Sequence, residues 1–218
     1  MKLKSMALAG AALSAAMLVS APASAEVAIV GFTGGTTFNA FSSNETIGFV
    51  FRANDDMRVT ALGWYGASGT LNSAHRVGLW SSTGTLLGSA IVTPGATGAS
   101  LFRYVALPTT LLTAGQVYFI GGVDTATDGD TYVTSVTSLT TDAAVSFLGS
   151  AVSANGSGFA FPNRINTITL GGRFGPNFEF TPGIPEPATW AFMILGFGVI
   201  GGALRRRKAN VTTSVRYA

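Results

Sequence analysis

The sequence predicts an all-β body set between two apolar terminal segments, and three observations carry that reading. From Glu26 to Phe180, short runs rich in Val, Ile, Thr, Phe and Tyr alternate with clusters of Gly, Ser, Asn and Asp, the pattern of a β-sandwich or barrel. No stretch of that body shows the ~3.6-residue spacing of an amphipathic helix. The apolar excess, 47% hydrophobic against 11% charged over 218 residues, is concentrated at the two ends.

Residues 1–25 read as a secretory signal peptide. Lys2 and Lys4 give a positive start, Met6 to Val19 an apolar stretch, and Ala23-Ser24-Ala25 a small-residue cleavage site, so the mature chain starts at Glu26. The alternative is an uncleaved membrane helix, for which the alanine-rich stretch is short.

Within the body the expected strands are Val27–Phe32, Thr46–Arg52, Arg58–Tyr65, Arg76–Ser81, Leu86–Val92, Leu101–Leu107, Gln116–Val123, Thr131–Val136, Ala144–Leu148, Thr167–Leu170 and Asn177–Phe180. In Arg76–Trp80, Val77 and Leu79 point to one face and Gly78 and Trp80 to the other. Ser82-Thr83-Gly84-Thr85 then turns the chain into Leu86, with Gly84 at positive φ. Gln116–Ile120 is apolar on both faces, which predicts a central strand covered on both sides. Thr113-Ala114-Gly115 is a turn, and Ser150–Gly158 reads as a long polar loop. The body, 26–180, is one domain without internal repeats.

Beyond it, residues 181–187 form a Pro-rich linker expected to be helix-free, since proline lacks the amide donor and restricts its predecessor. Residues 188–204 are apolar apart from Thr189 and the indole of Trp190. Seventeen residues at about 1.5 Å each reach roughly 25 Å, enough for a thin bilayer, which predicts a single C-terminal transmembrane helix. Trp190 falls at the outer headgroup level, and Arg205, Arg206, Arg207 and Lys208 hold the basic tail, 205–218, in the cytoplasm. A buried core helix would leave those four cations without a role. Gly198 and Gly202 stand at GxxxG spacing, suited either to a partner helix or to a loosely packed lone anchor.

The elements Pro185-Glu186-Pro187, Thr189-Trp190-Ala191, the glycines Gly196, Gly198, Gly201 and Gly202, and the Arg/Lys cluster occur in order. Together they resemble the PEP-CTERM sorting domain in its PEPxxWA form. The resemblance implies recognition by an exosortase, a membrane transpeptidase-like enzyme that cuts near Pro-Glu-Pro. It also implies export in a Gram-negative bacterium to the cell surface or an exopolysaccharide matrix or biofilm. The tail Ala209–Ala218 is longer than the minimal pattern.

The whole chain is +3, but the body from Glu26 to Gly183 holds six arginines, no lysine and nine carboxylates, for a net −3. The basicity thus belongs to the terminal signals, which removes the main argument for a nucleic-acid partner. With no cysteine, the body folds by its core alone.

The run Val59–Tyr65, the hairpin Val77–Trp80 with Gly84–Leu87, and Leu112–Tyr118 resemble a domain-of-unknown-function family of bacterial extracellular β-sandwiches, over roughly Thr46 to Val123. That likeness implies a jelly-roll-like antiparallel sandwich of the kind found beside carbohydrate-active or matrix proteins, with no established activity.

The body offers little chemistry. His75 is the only histidine, at a strand start, and reads as a loop or surface residue; Ser73 and Ser81 beside it do not make a triad. No pair among Glu45, Asp55, Asp56, Asp142 and Glu179 stands out as a glycosidase couple. Asp124, Asp128 and Asp130 with Gly129 could gather oxygens around Ca²⁺, or could simply cap an acidic turn. Trp64, Tyr65 and Trp80 could stack on sugar rings, or could be core aromatics. The expectation is a protein without catalytic residues or an obligatory cofactor, with a structural or adhesive role. A carbohydrate-binding module is the first alternative and a glycoside hydrolase the second.

Overall fold

The computed structural model describes residues 24–39, 44–66, 69–98, 101–166, 171–183, 186–205 and 216. In chain order the strands are β1 (Glu26–Val27), β2 (Ile29–Phe38), β3 (Glu45–Ala53), β4 (Met57–Tyr65), β5 (His75–Ser81), β6 (Leu86–Val92), β7 (Phe102–Leu112), β8 (Val117–Asp124), β9 (Tyr132–Thr141), β10 (Val145–Val152), β11 (Arg164–Asn166) and β12 (Pro176–Pro182), followed by α1 (Glu186–Arg205). A four-stranded sheet runs β1-β12-β4-β7, a six-stranded sheet β11-β10-β3-β8-β5-β6, and β2 pairs with β9 in a two-stranded ribbon. Every pairing is antiparallel. The body is therefore an all-β sandwich.

Strand periodicity explains the two faces of the larger sheet. Ile47, Phe49 and Phe51 of β3, Tyr118 and Ile120 of β8, and Val77 and Leu79 of β5 enter the core between the sheets. There Phe51 meets Phe178 of β12, ring centroids 4.9 Å apart. The intervening residues Val50, Phe119 and Trp80 form a row across the same three strands on the outer face. Central strand β8 is thus covered on both sides, as its sequence predicts. The outer cover is the segment before β11: Phe161 lies 4.9 Å from Phe119, and Phe159 5.1 Å from Trp80. The guanidinium of Arg76 caps Phe159 at 4.0 Å.

In the smaller sheet, Met57 and Val59 of β4 face the core, and so do Leu62 and Trp64. The shift from odd to even positions occurs where the register with β12 slips between Val59 and Ala61, a bulge at Thr60 that adds one residue and restores the apolar face. Ala28 separates β1 from β2 and lets the chain leave the four-stranded sheet for the ribbon. The ribbon packs back through Phe32, whose ring lies 5.8 Å from Tyr65 and 5.7 Å from Phe174.

Several expectations are corrected. The first strand is split at Ala28 and continues to Phe38, and Ser150–Val152 belongs to β10 rather than to a loop, pairing with Ile47–Phe49. Thr181 and Pro182 extend β12, so the body ends at 182 rather than 180. The proposed strand Thr167–Leu170 lies outside the described residues, as do residues 1–23, Pro185 and Arg206–Lys208.

The linker is helix-free only in part. Glu186 and Pro187 already belong to α1, because proline is tolerated in a first turn whose amides have no helical partner. The expected span Ala188–Leu204, with Trp190 and Ala191, falls within α1, and Arg205 closes it. Among the described residues no helix is long and apolar enough to cross a membrane. The side chains of residues 186–192 lie outside the described ones. Those of Ile194, Leu195, Phe197 and Ile200 are exposed, which rules out a buried core helix.

Candidate functional site

Strand direction gathers the polar side chains at one end of the sandwich. Glu45 opens β3, Asp124 closes β8, and the two are directly paired. The same end receives the start of β5 at His75, the start of β9 at Tyr132 and the end of β2 at Phe38.

His75 is buried, 1% exposed, contrary to the surface placement expected of it. Its ring stacks on Trp64 with centroids 4.2 Å apart and planes 6° from parallel. Nδ1 lies 3.0 Å from the Val123 carbonyl, which can only accept, so Nδ1 donates. Nε2 lies 3.0 Å from Asp130 Oδ2. The Asp130 carboxylate also accepts the backbone amides of Asn72 and Ser73, from 2.9 to 3.0 Å, tying the loop before β5 to the loop before β9. Ser73 Oγ donates to the Asp128 carbonyl instead of facing the imidazole, and Ser81 Oγ lies against Thr83.

The acidic loop is stitched by its own turn chemistry. Asp128 Oδ2 accepts the amide and hydroxyl of Thr125, Asp128 Oδ1 accepts the amide of Asp130, and Gly129 takes φ 76°. Asp124 differs from both neighbours. It is 1% exposed and its Oδ1 has no hydrogen-bond partner. Burial first, then the charges of Asp128, Glu45 and Asp130, partly offset by Arg173, push its carboxyl up to about 7. Among the described residues no group of three or more His, Cys, Asp or Glu side chains is placed to hold a metal ion.

The aromatic platform is not formed. Trp64, Tyr65 and Trp80 are 0%, 8% and 3% exposed, so none turns a face to a ring ligand. Trp64 sits in the core because Gly122 on β8 leaves room for it: a Cβ there would enter the six-membered part of the indole. The turn carboxylates are also engaged locally, Asp56 by the Ala114 amide at 2.7 Å and Asp142 by the Ala144 amide at 2.8 Å.

The concave feature at this end was not anticipated. A cleft of about 490 Å³ opens between the ribbon and the β10–β11 edge, lined by Phe38, Tyr132, Thr134, Ser150, Arg164 and Arg173 among others. Glu45, which looks isolated in the sequence, holds both guanidiniums: Arg173 Nη1 at 3.2 Å and Arg164 Nη2 at 3.8 Å. Arg173 Nη1 also donates to the Tyr132 hydroxyl at 3.3 Å, and Arg164 Nη2 to the Ser153 carbonyl at 2.6 Å. These residues lie far apart in the chain, and no local spacing joins them. The one available signal was that a lysine-free body keeps six arginines, two of them near its end.

Ala25 is exposed and directly precedes β1, where the expected signal cleavage falls. At the same end the Gly183 amide donates to the Asp56 carbonyl at 2.6 Å, fixing the point at which the chain leaves the body.

Comparison with known proteins gives two matches and no curated relative. Residues 183–208 match the PEP-CTERM protein-sorting motif, the recognition signal for exosortase processing, which marks export and surface sorting in Gram-negative bacteria. No curated protein matches the chain. Residues 34–171, a wider span than the hairpin likeness suggests, match a domain of unknown function, DUF4082. The chain therefore belongs to the DUF4082 family and carries a C-terminal PEP-CTERM sorting motif.

Proposed function

We propose that this exosortase-targeted surface protein is exported by a signal peptide cut after Ala25 and held transiently in the inner membrane by α1. After processing it serves the cell surface or exopolysaccharide matrix as a structural or adhesive component without catalytic activity. The observation that carries this reading is the junction at Gly183: a self-contained β-sandwich ends there, and the sorting motif leads directly into a helix whose described apolar side chains find no cover on the body. Such a helix gains about 1.5–3 kcal/mol per large side chain on leaving water, which favours a lipid or helical environment. The apolar run Ala188–Leu204 supports a membrane-associated intermediate, and the four cations after it supply the orientation.

Absence of catalysis is supported by how the reactive groups are engaged. Both ring nitrogens of His75 face internal acceptors, and the serine hydroxyls near it point elsewhere. The cleft lining named for the described residues contains no carboxylate, whereas glycoside hydrolysis needs two. Nor does the reading involve a bound metal, because Asp128 and Asp130 direct their oxygens at N–H and O–H donors.

The sorting step is tested by Glu186→Ala in the native host. The variant is expected to accumulate as precursor in the membrane fraction, while the parent protein reaches the surface fraction. Equal surface delivery of both would contradict exosortase recognition at this motif.

A further inference from the structure

The cleft at the end of the sandwich has the chemistry of a ligand site. Two guanidiniums converge on one carboxylate, Glu45. The protein's own contacts engage Nη2 of Arg164 and Nη1 of Arg173. Nε and the second terminal nitrogen of each fork thus stay available to an incoming acceptor among the described residues. Planar forks of this kind match a carboxylate in bidentate geometry. Beside them, Thr134 and the buried Ser150 line the cleft, and Phe38 and Ile165 add apolar residues. Ile165 is half exposed, so it is reachable from solvent. The volume, about 490 Å³, lies within the roughly 300–1,000 Å³ of small-molecule sites.

Place in the fold adds a second argument. The sorting segment leaves at Gly183, beside Asp56 and next to the start of β1, where Glu26 pairs with Phe180. The cleft lies at the opposite end, where Phe38 pairs with Tyr132. A body held by its C-terminal segment therefore carries the cleft at the end away from its attachment.

We propose that this cleft binds a carboxylate-bearing sugar of the uronic-acid type, with Arg164 and Arg173 clamping the carboxylate, Thr134 meeting ring hydroxyls, and Phe38 and Ile165 covering the apolar ring face. The inference rests on the surface role proposed above only for the biological origin of the ligand. The cleft itself stands on its geometry.

Calorimetric titration of the full-length chain in detergent with sodium glucuronate, glucose and sodium acetate tests it. Glucuronate is expected to bind saturably, and glucose and acetate at least about tenfold more weakly, a gap of about 1.4 kcal/mol. Arg164→Ala and Arg173→Ala are each expected to weaken glucuronate binding about tenfold or more, as loss of a charge-assisted hydrogen bond does. Arg164 is 59% exposed on a three-residue edge strand, so its removal leaves the fold intact and keeps the test valid if Arg173→Ala, which strips Glu45 of its closer partner, fails to fold. No saturable heat up to about 50 mM glucuronate, equal binding of acetate, or an unchanged constant in a folded Arg164→Ala would overturn the site. Glucuronate binding by a chain that is never processed in its host would leave the site standing and overturn the sorting reading alone.

Discussion

Asn177 supplies the hydrogen bonds that a strand neighbour supplies elsewhere. Fully buried, it accepts the Ile29 amide at 3.0 Å and the Phe178 amide at 2.9 Å, and donates to the Ile29 carbonyl at 3.0 Å and the Tyr104 hydroxyl at 2.9 Å. It thereby satisfies the backbone at the break where β1 gives way to β2. Because truncation leaves buried donors and acceptors without partners, Asn177→Ala is expected to cost about 3 kcal/mol in urea denaturation. Asp124 acts in the opposite sense. Surrounded by Glu45, Asp128 and Asp130, with Arg173 as the counter-charge, its buried carboxyl is raised to about 7, against about 3.9 in an unfolded chain. The folded state then holds a proton that the unfolded state releases. Its contribution to stability is complete below pH 4, falls as pH rises and is lost above about 7. Denaturation midpoints at pH 5 and pH 8 should show a decline of up to ~1.4 kcal/mol per pH unit that Asp124→Asn flattens. Superimposable pH profiles would show that Asp124 is ionised throughout.

The elements that alternate cleanly are legible from sequence, and those set by irregularity are not. Val77 and Leu79 point inward and Trp80 outward as their alternation requires, and Gly84 turns the β5–β6 hairpin at φ 87°. Both faces of β8 are apolar in sequence and covered in the fold. The bulge at Thr60 leaves no such mark, since Arg58–Tyr65 reads as one unbroken strand with no glycine or proline at the slip. The ribbon is hidden for a different reason. Gly34 has φ 66°, and a Cβ on it would strike Thr137, a residue met only once β2 and β9 pair across more than a hundred positions. The candidate site is harder still, because His75 meets Asp130 and Glu45 meets Arg173 only through topology. The aromatics were legible as aromatics, but their burial depends on what faces them. Gly122→Ala tests that dependence. The added methyl must displace the Trp64 indole from its stack on His75, at an expected cost of about 2–3 kcal/mol in thermal or urea unfolding, with a change in tryptophan emission. Unchanged stability and emission would mean that the indole has room to spare.

At the scale of the molecule, the antiparallel pairing of β1 with β12 sets the geometry of attachment. The expected mature N-terminus, Glu26, lies opposite Phe180, three residues before the chain leaves the body at Gly183. The expected export signal and the sorting motif therefore join the domain at one end, and the arginine cleft occupies the other. The chain's overall +3 charge is likewise divided: the body is slightly acidic and the excess of cations lies in the terminal segments. The measurement that bears most directly on this division is mass spectrometry of the protein recovered from the surface of its own host. Sorting predicts an N-terminus at Glu26 and a C-terminus, free or carrying an attached group, at the Pro185–Pro187 motif. A surface protein still ending at Ala218 would contradict it.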